Sequence, residues 1–135
     1  MTEPCFYRVS VKGLEIDDQG RILLCIQNDG TLDLPGGGLE HGEEPHVGLA
    51  REILEETGLE TSYVSLSPKY FVTAPRFPAP GSSFAANVIY EIKLKNYNFT
   101  PSEECQELRF MSLADMEGLD LLPNVRKLLV LLKQV

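Results

Sequence analysis

Glu52, Glu55 and Glu56 are the residues of this chain best placed by type and spacing to do chemistry. On a helix, positions i, i+3 and i+4 bring their carboxylates together. Like charges so spaced oppose the helix by roughly 0.2–0.5 kcal/mol per pair, and Arg51 alone does not neutralise them. A divalent cation would, and a set of oxygen ligands suits Mg²⁺ or Mn²⁺. A cation held in this way neutralises phosphate oxygens, acidifies a bound water and fixes the geometry of in-line attack. Three glutamates taken alone fit a solvated acidic face better, so the case turns on their surroundings.

The helix carrying them is predicted over 45–57. Pro45 suits the first turn, where its missing N–H has no partner to lose. Glu43 and Glu44 put negative charge at the positive end of the helix dipole, and Gly58 suits the left-handed position just past the end. The 3.6-residue period puts Val47, Ala50, Ile53, Leu54 and Thr57 on the buried face and the three glutamates opposite. Before the helix, Pro35 stops an extended stretch. Gly36-Gly37-Gly38 then lets the backbone bend tightly and approach a ligand.

Together these residues resemble a known motif. Gly37, five residues, Glu43, seven residues and the run Arg51-Glu52-Ile53-Leu54-Glu55-Glu56-Thr57-Gly58-Leu59 look like a complete Nudix box, with the matching residue at every defining position. The flanking Leu34-Pro35-Gly36-Gly37 resembles the family as well, and with this match the solvated-face reading recedes. The resemblance implies a Nudix-type α/β/α sandwich with a mixed β-sheet between helices. It implies direct metal ligation by Glu52 and Glu56, and by Glu55 directly or through water, with a backbone carbonyl near Gly37 joining them. Arg51 would orient the glutamates, and Glu43 would pair with Arg51 and brace the loop. The general base is either Glu52 or a glutamate of a later loop. In the run Glu103-Glu104-Cys105-Gln106-Glu107, Glu104 is the first choice for an extra ligand or base and Glu107 the second. His41 and His46 flank the helix start and read as exposed polar residues within reach of phosphate.

Substrate choice is placed outside the box. Arg76 and Phe77, in a proline-rich loop, offer a cation for phosphate and a ring for stacking a base. Pro75, 16 positions after Leu59 (75 − 59), is about where ADP-ribose-cleaving relatives tend to carry a proline. Leu32 and Phe110 stand where many relatives have tryptophan, and the chain has none; this leaves the metal box untouched and the subfamily open. The leading expectation is a Mg²⁺-dependent pyrophosphohydrolase acting on a nucleoside diphosphate linked to another moiety, ADP-ribose-like. The alternatives are a nucleoside triphosphate pyrophosphatase, including one for oxidised nucleotides, and a non-catalytic nucleotide-sensing module. An isoprenoid-diphosphate isomerase ranks last.

The remaining elements must hold this machinery. Strands are predicted over 7–16, with a bulge at Lys12-Gly13, and over 21–27, where the apolar run argues burial on both faces. Short extended segments follow at 32–34, within 59–73, at 84–94 and at 108–111, and an amphipathic helix closes the chain from Leu121. At 135 residues the chain has the size of one domain, 1–135. A net charge of −8 opposes a generic grip on nucleic acid. No apolar run approaches the length of a membrane span, and the N-terminus does not read as a signal peptide. Cys5, Cys25 and Cys105, odd in number and scattered, suggest a reduced, cytoplasmic protein, with Cys25 in the core. The family includes dimers, so a homodimer is allowed for, although no segment specifies one.

Overall fold

A computed structural model describes residues 5–76 and 83–134. Eight strands and three helices follow in order: β1 (Tyr7–Leu14), β2 (Ile22–Ile26), β3 (Leu32–Asp33), β4 (Gly36–Gly38), α1 (Pro45–Thr57), β5 (Thr61–Val64), β6 (Tyr70–Pro75), β7 (Phe84–Leu94), β8 (Glu107–Met111), α2 (Leu113–Met116) and α3 (Pro123–Leu132). β1 lies between β4 and β7, parallel to β7 and antiparallel to β4. β5 and β6 both pair antiparallel with β7, so the sheet is mixed. A smaller antiparallel sheet runs β3-β2-β8.

The two long helices cover separate cores. Leu49 and Ile53 of α1 pack with Val11, Leu23, Tyr90 and Ile92. Val125, Leu128 and Leu129 of α3 pack with Leu14, Leu24, Val72 and Ile89. β2 feeds both, Leu23 to one and Leu24 to the other, which is the burial on two faces that its apolar run requires. The layers are those of an α/β/α sandwich around a mixed sheet, as the resemblance implies.

Several details depart from the sequence reading. β1 ends at Leu14, and Ile16 makes only an isolated bridge to Ile22. No bulge breaks it: the register runs unshifted from Tyr7 opposite Phe84 to Leu14 opposite Glu91. Gly13 serves close packing instead, because a Cβ there would collide with the Ile92 side chain. The three glycines are not a free turn but strand β4, registered on β1 from Ser10–Gly38 to Lys12–Gly36. α2 was not foreseen; it is a single short turn whose cap, Ser112, accepts the Asp115 N–H at 3.1 Å.

The buried arc of α1 also differs. Gly48, Leu49, Ile53, Glu56 and Thr57 face inward, whereas Val47, Ala50 and Leu54 are exposed. The inward arc is centred on Leu49 and Ile53, at i and i+4. Glu56, at i+7 from Leu49, therefore falls within it.

Candidate metal centre

Glu56 stands on the inward arc of α1 and is 8% exposed. The Gly36 N–H donates to its Oε1 at 2.8 Å. Burial pushes its carboxyl up to about 8, against the Lys12 charge and that Gly36 hydrogen bond, which pull the other way. Ionising this carboxyl at neutral pH calls for further positive charge. One turn back, Glu52 lies beside Gly37 so closely that a Cβ at 37 would push the Glu52 carboxylate aside.

The third carboxylate arrives on a loop. The Ser102 hydroxyl donates to the Glu56 carbonyl at 2.7 Å and accepts the N–H groups of Glu104 at 3.3 Å and Cys105 at 3.2 Å. The acidic turn is thereby tied to the end of α1. One carboxylate oxygen from each of Glu52, Glu56 and Glu104 lies within 4.8 Å of the others. The group opens on a cleft of about 420 Å³ that Lys12, Asp33, Gly37 and Glu103 also line.

Arg51 holds the approach. Its Nε and Nη2 bind both oxygens of Glu43, at 2.8 and 2.9 Å. Its Nη1 donates to Glu52 at 3.0 Å and to Glu55 at 3.2 Å, and its Nη2 also reaches the Gly38 carbonyl at 3.2 Å. The bidentate pair holds the Glu43 carboxyl down at about 2, and the Arg51 guanidinium is raised in turn. Gly58 closes α1 with φ +73°, its N–H donating to the Leu54 carbonyl at 2.8 Å.

Other candidate residues lie apart from the carboxylate group. Glu55, with its side chain 55% exposed, points to Arg51 and stands outside it. Glu107 opens β8 and pairs with Arg109. His46 packs edge-on against Tyr90 at 4.9 Å, while His41 is exposed. Arg76 borders a second cavity of about 150 Å³ with Ser10, Asn87 and Asn124. Phe77 lies outside the described residues.

Four polar residues around the site escaped the sequence reading: Lys12, Asp33, Asn87 and Asn124. Lys12 and Asp33 line both the cleft and the second cavity. Lys12 carried a usable signal, a lysine among the apolar residues of a central strand, which a buried ion pair would explain. Asn87, a buried amide inside β7, carried the same kind of signal; Asp33 and Asn124 carried none, since each is ordinary at a strand or helix end.

Three converging carboxylates beside a glycine strand, near a buried lysine, are the donor set of a hard divalent cation. The NUDIX domain family model matches residues 6–132, and the chain belongs to this family. Nudix enzymes generally use a divalent metal. A nucleoside triphosphatase NudI of Escherichia fergusonii is 31% identical over 127 residues, covering 86% of this chain and 90% of that protein. A MutT-like protein of Streptomyces ambofaciens is 43% identical over 70 residues, or 51% of this chain. The chain spans 46% of that relative's length and 36% of the human nucleoside diphosphate-linked moiety X motif 6, to which it is 28% identical. The fold is that of a MutT protein from Methanosarcina mazei, with a TM-score of 0.79 at 23% identity, covering 98% of this chain and 97% of that one. It is also that of the NUDIX domain of Shewanella oneidensis NrtR, a structure holding ADP ribose, with a TM-score of 0.72 at 18% identity, covering 96% of this chain and 88% of that one.

Proposed function

We propose that this chain is a Mg²⁺-dependent pyrophosphohydrolase that cuts the diphosphate of a nucleoside diphosphate linked to another moiety, with ADP-ribose as the type of substrate. The observation carrying this reading is the convergence of Glu52, Glu56 and Glu104 within 4.8 Å, at a cleft with a second cavity beside it. Glu52, Glu56 and Glu104 would hold Mg²⁺ (or Mn²⁺), joined by the Gly37 carbonyl and by Glu55, directly or through water. The ion supplies charge neutralisation at the phosphate oxygens and a more acidic water. Arg51 keeps Glu52 aimed at the cleft. Glu104, exposed at the cleft mouth, accepts the proton of the attacking water, and Glu52 is the runner-up for this role. The water oxygen bonds to phosphorus, the bridging P–O bond breaks, and two phosphate monoesters leave. Arg76, at the edge of the second cavity, binds the substrate's outer portion, with Phe77 as its stacking partner.

A second reading, a nucleoside triphosphate substrate, is favoured by the likeness to NudI over nearly the whole of both chains. A non-catalytic nucleotide sensor fits less well, because every box glutamate is present. The match over residues 6–132 supports one domain in this sequence. Free Cys25 and Cys105 support a reducing, cytoplasmic setting, and no described helix is long and apolar enough to cross a membrane.

Incubation with a panel of nucleoside diphosphate derivatives and triphosphates in Mg²⁺, with products resolved chromatographically, tests this. ADP-ribose-like compounds should turn over fastest, and Glu52→Gln should cost about 10²–10⁴ in kcat. Turnover insensitive to both Glu52→Gln and chelation sinks the reading; a preference for triphosphates selects the second one.

A further inference from the structure

An unbroken run of hydrogen bonds joins the second cavity to the carboxylate group. Asn124 Nδ2 donates to Asn87 Oδ1 at 2.9 Å and to Asp33 Oδ1 at 3.0 Å. Asp33 Oδ2 accepts from Lys12 Nζ at 3.1 Å. Lys12 Nζ also donates to the Gly36 carbonyl at 3.1 Å, with the Leu34 carbonyl at 3.5 Å. The Gly36 N–H then grips Glu56 at 2.8 Å.

We propose that Lys12 is a positioning residue of the cation site, acting through the turn at Leu34-Pro35-Gly36. The proposal rests on the cation reading given above. The Lys12 side chain is 9% exposed and that of Asp33 13%, so the ammonium is spent on the chain's own acceptors and not on solvent. A lysine serving stability alone would need one buried anion, and Asp33 supplies it. This lysine also ties down the Leu34 and Gly36 carbonyls, which flank the Pro35–Gly36 peptide whose N–H aims Glu56. Gly13 N–H holds the Pro35 carbonyl between them at 2.8 Å. All three carbonyls of the turn are therefore restrained, two of them by the Lys12 side chain. Without it, Gly36 keeps its ladder to β1 and the Pro35 carbonyl keeps Gly13, but the peptides on either side of the one carrying the Gly36 N–H lose their side-chain tether.

Charge alone argues the opposite outcome. Removing a buried cation beside a metal site lifts a repulsion, so metal should bind more tightly. Removing a residue that orients a ligand weakens binding, typically about 10–100-fold. Lys12 also pulls the Glu56 carboxyl down, and Asp33 pushes it up, so the two accounts are separated in the variant that removes both residues, where the charge changes offset each other.

The test is direct Mn²⁺ binding, followed by the electron paramagnetic resonance of the free ion, to the substrate-free protein. Lys12→Met should raise the Mn²⁺ Kd about 10–100-fold. It also strands Asp33 without its cation, which threatens folding. The double variant Lys12→Met/Asp33→Asn removes that burden; it should melt near the wild type and still bind Mn²⁺ weakly. Wild-type or tighter Mn²⁺ affinity in either folded variant overturns the proposal and leaves the cation site standing. Failure of the wild type itself to bind Mn²⁺ overturns the cation site, and the proposal with it.

Discussion

Glu56 and Glu43 are both glutamates of the same motif, yet the fold moves them in opposite directions, and each move has a measurable sign. In the metal-free protein, burial raises the Glu56 carboxyl from 4.5 to about 8. The native state then holds the Glu56 proton more tightly than the unfolded chain does. Its contribution is fully present below pH 4.5 and is lost as pH rises through about 8. Urea denaturation in chelator should therefore show the wild type losing stability relative to Glu56→Gln across that window; a flat difference between the two contradicts the burial argument. Glu43 goes the other way. Its bonds to Arg51 lower it from 4.5 to about 2, so its contribution is present above pH 4.5 and lost as pH falls toward 2. The stability difference between wild type and Glu43→Gln should shrink over that acid range. An unchanged difference would mean that the Arg51 pair holds nothing together.

At the scale of elements, β4 shows why glycine recurs, and the first two of its three tight positions predict different failures. Gly36 has φ +126°, and a Cβ there would collide with the backbone carbonyl of Val11. Neither the strained conformation nor the backbone can yield, so Gly36→Ala should lower stability by about 1–3 kcal/mol or more in chemical denaturation. At Gly37 the added carbon meets the Glu52 carboxylate, the end of a flexible side chain. Gly37→Ala should therefore leave stability near that of the wild type and weaken Mg²⁺-dependent turnover by displacing Glu52. Equal stability losses in the two variants would show that β4 is merely intolerant of side chains. Helix α1 carries the same lesson. Its inward arc passes through Glu56 as well as Leu49 and Ile53, so one element serves the core on one turn and the cleft on the next.

For the whole molecule, a cation that binds only the folded state must stabilise all of it. At a hundredfold excess of free Mg²⁺ over its Kd the gain is about 2.7 kcal/mol, a melting-point rise of roughly 8–12 °C for a chain of this size. Differential scanning calorimetry of the chelated and Mg²⁺-loaded protein measures it directly. Glu56→Gln should abolish the rise, and a rise that persists in that variant would place the stabilising ion elsewhere.

What the sequence alone determined was local. The bounds of α1, Pro45 to Thr57, were legible because Pro45 and Gly58 mark its ends through backbone conformation alone. β7 read correctly at Phe84–Leu94 because its apolar pattern spans the whole strand. The pairing of Arg51 with Glu43 was legible through the family motif. Only the tertiary structure decided which carboxylates meet. Which arc of α1 turned inward depended on how the sheet lay beneath it, and so Glu56 was buried and Glu55 left to Arg51. Glu104 came to the cleft, and Glu107 did not, because Ser102 tied the loop to α1. The contacts of Lys12 with Asp33 and of Asn87 with Asn124 span 21 and 37 residues, distances that no local periodicity records.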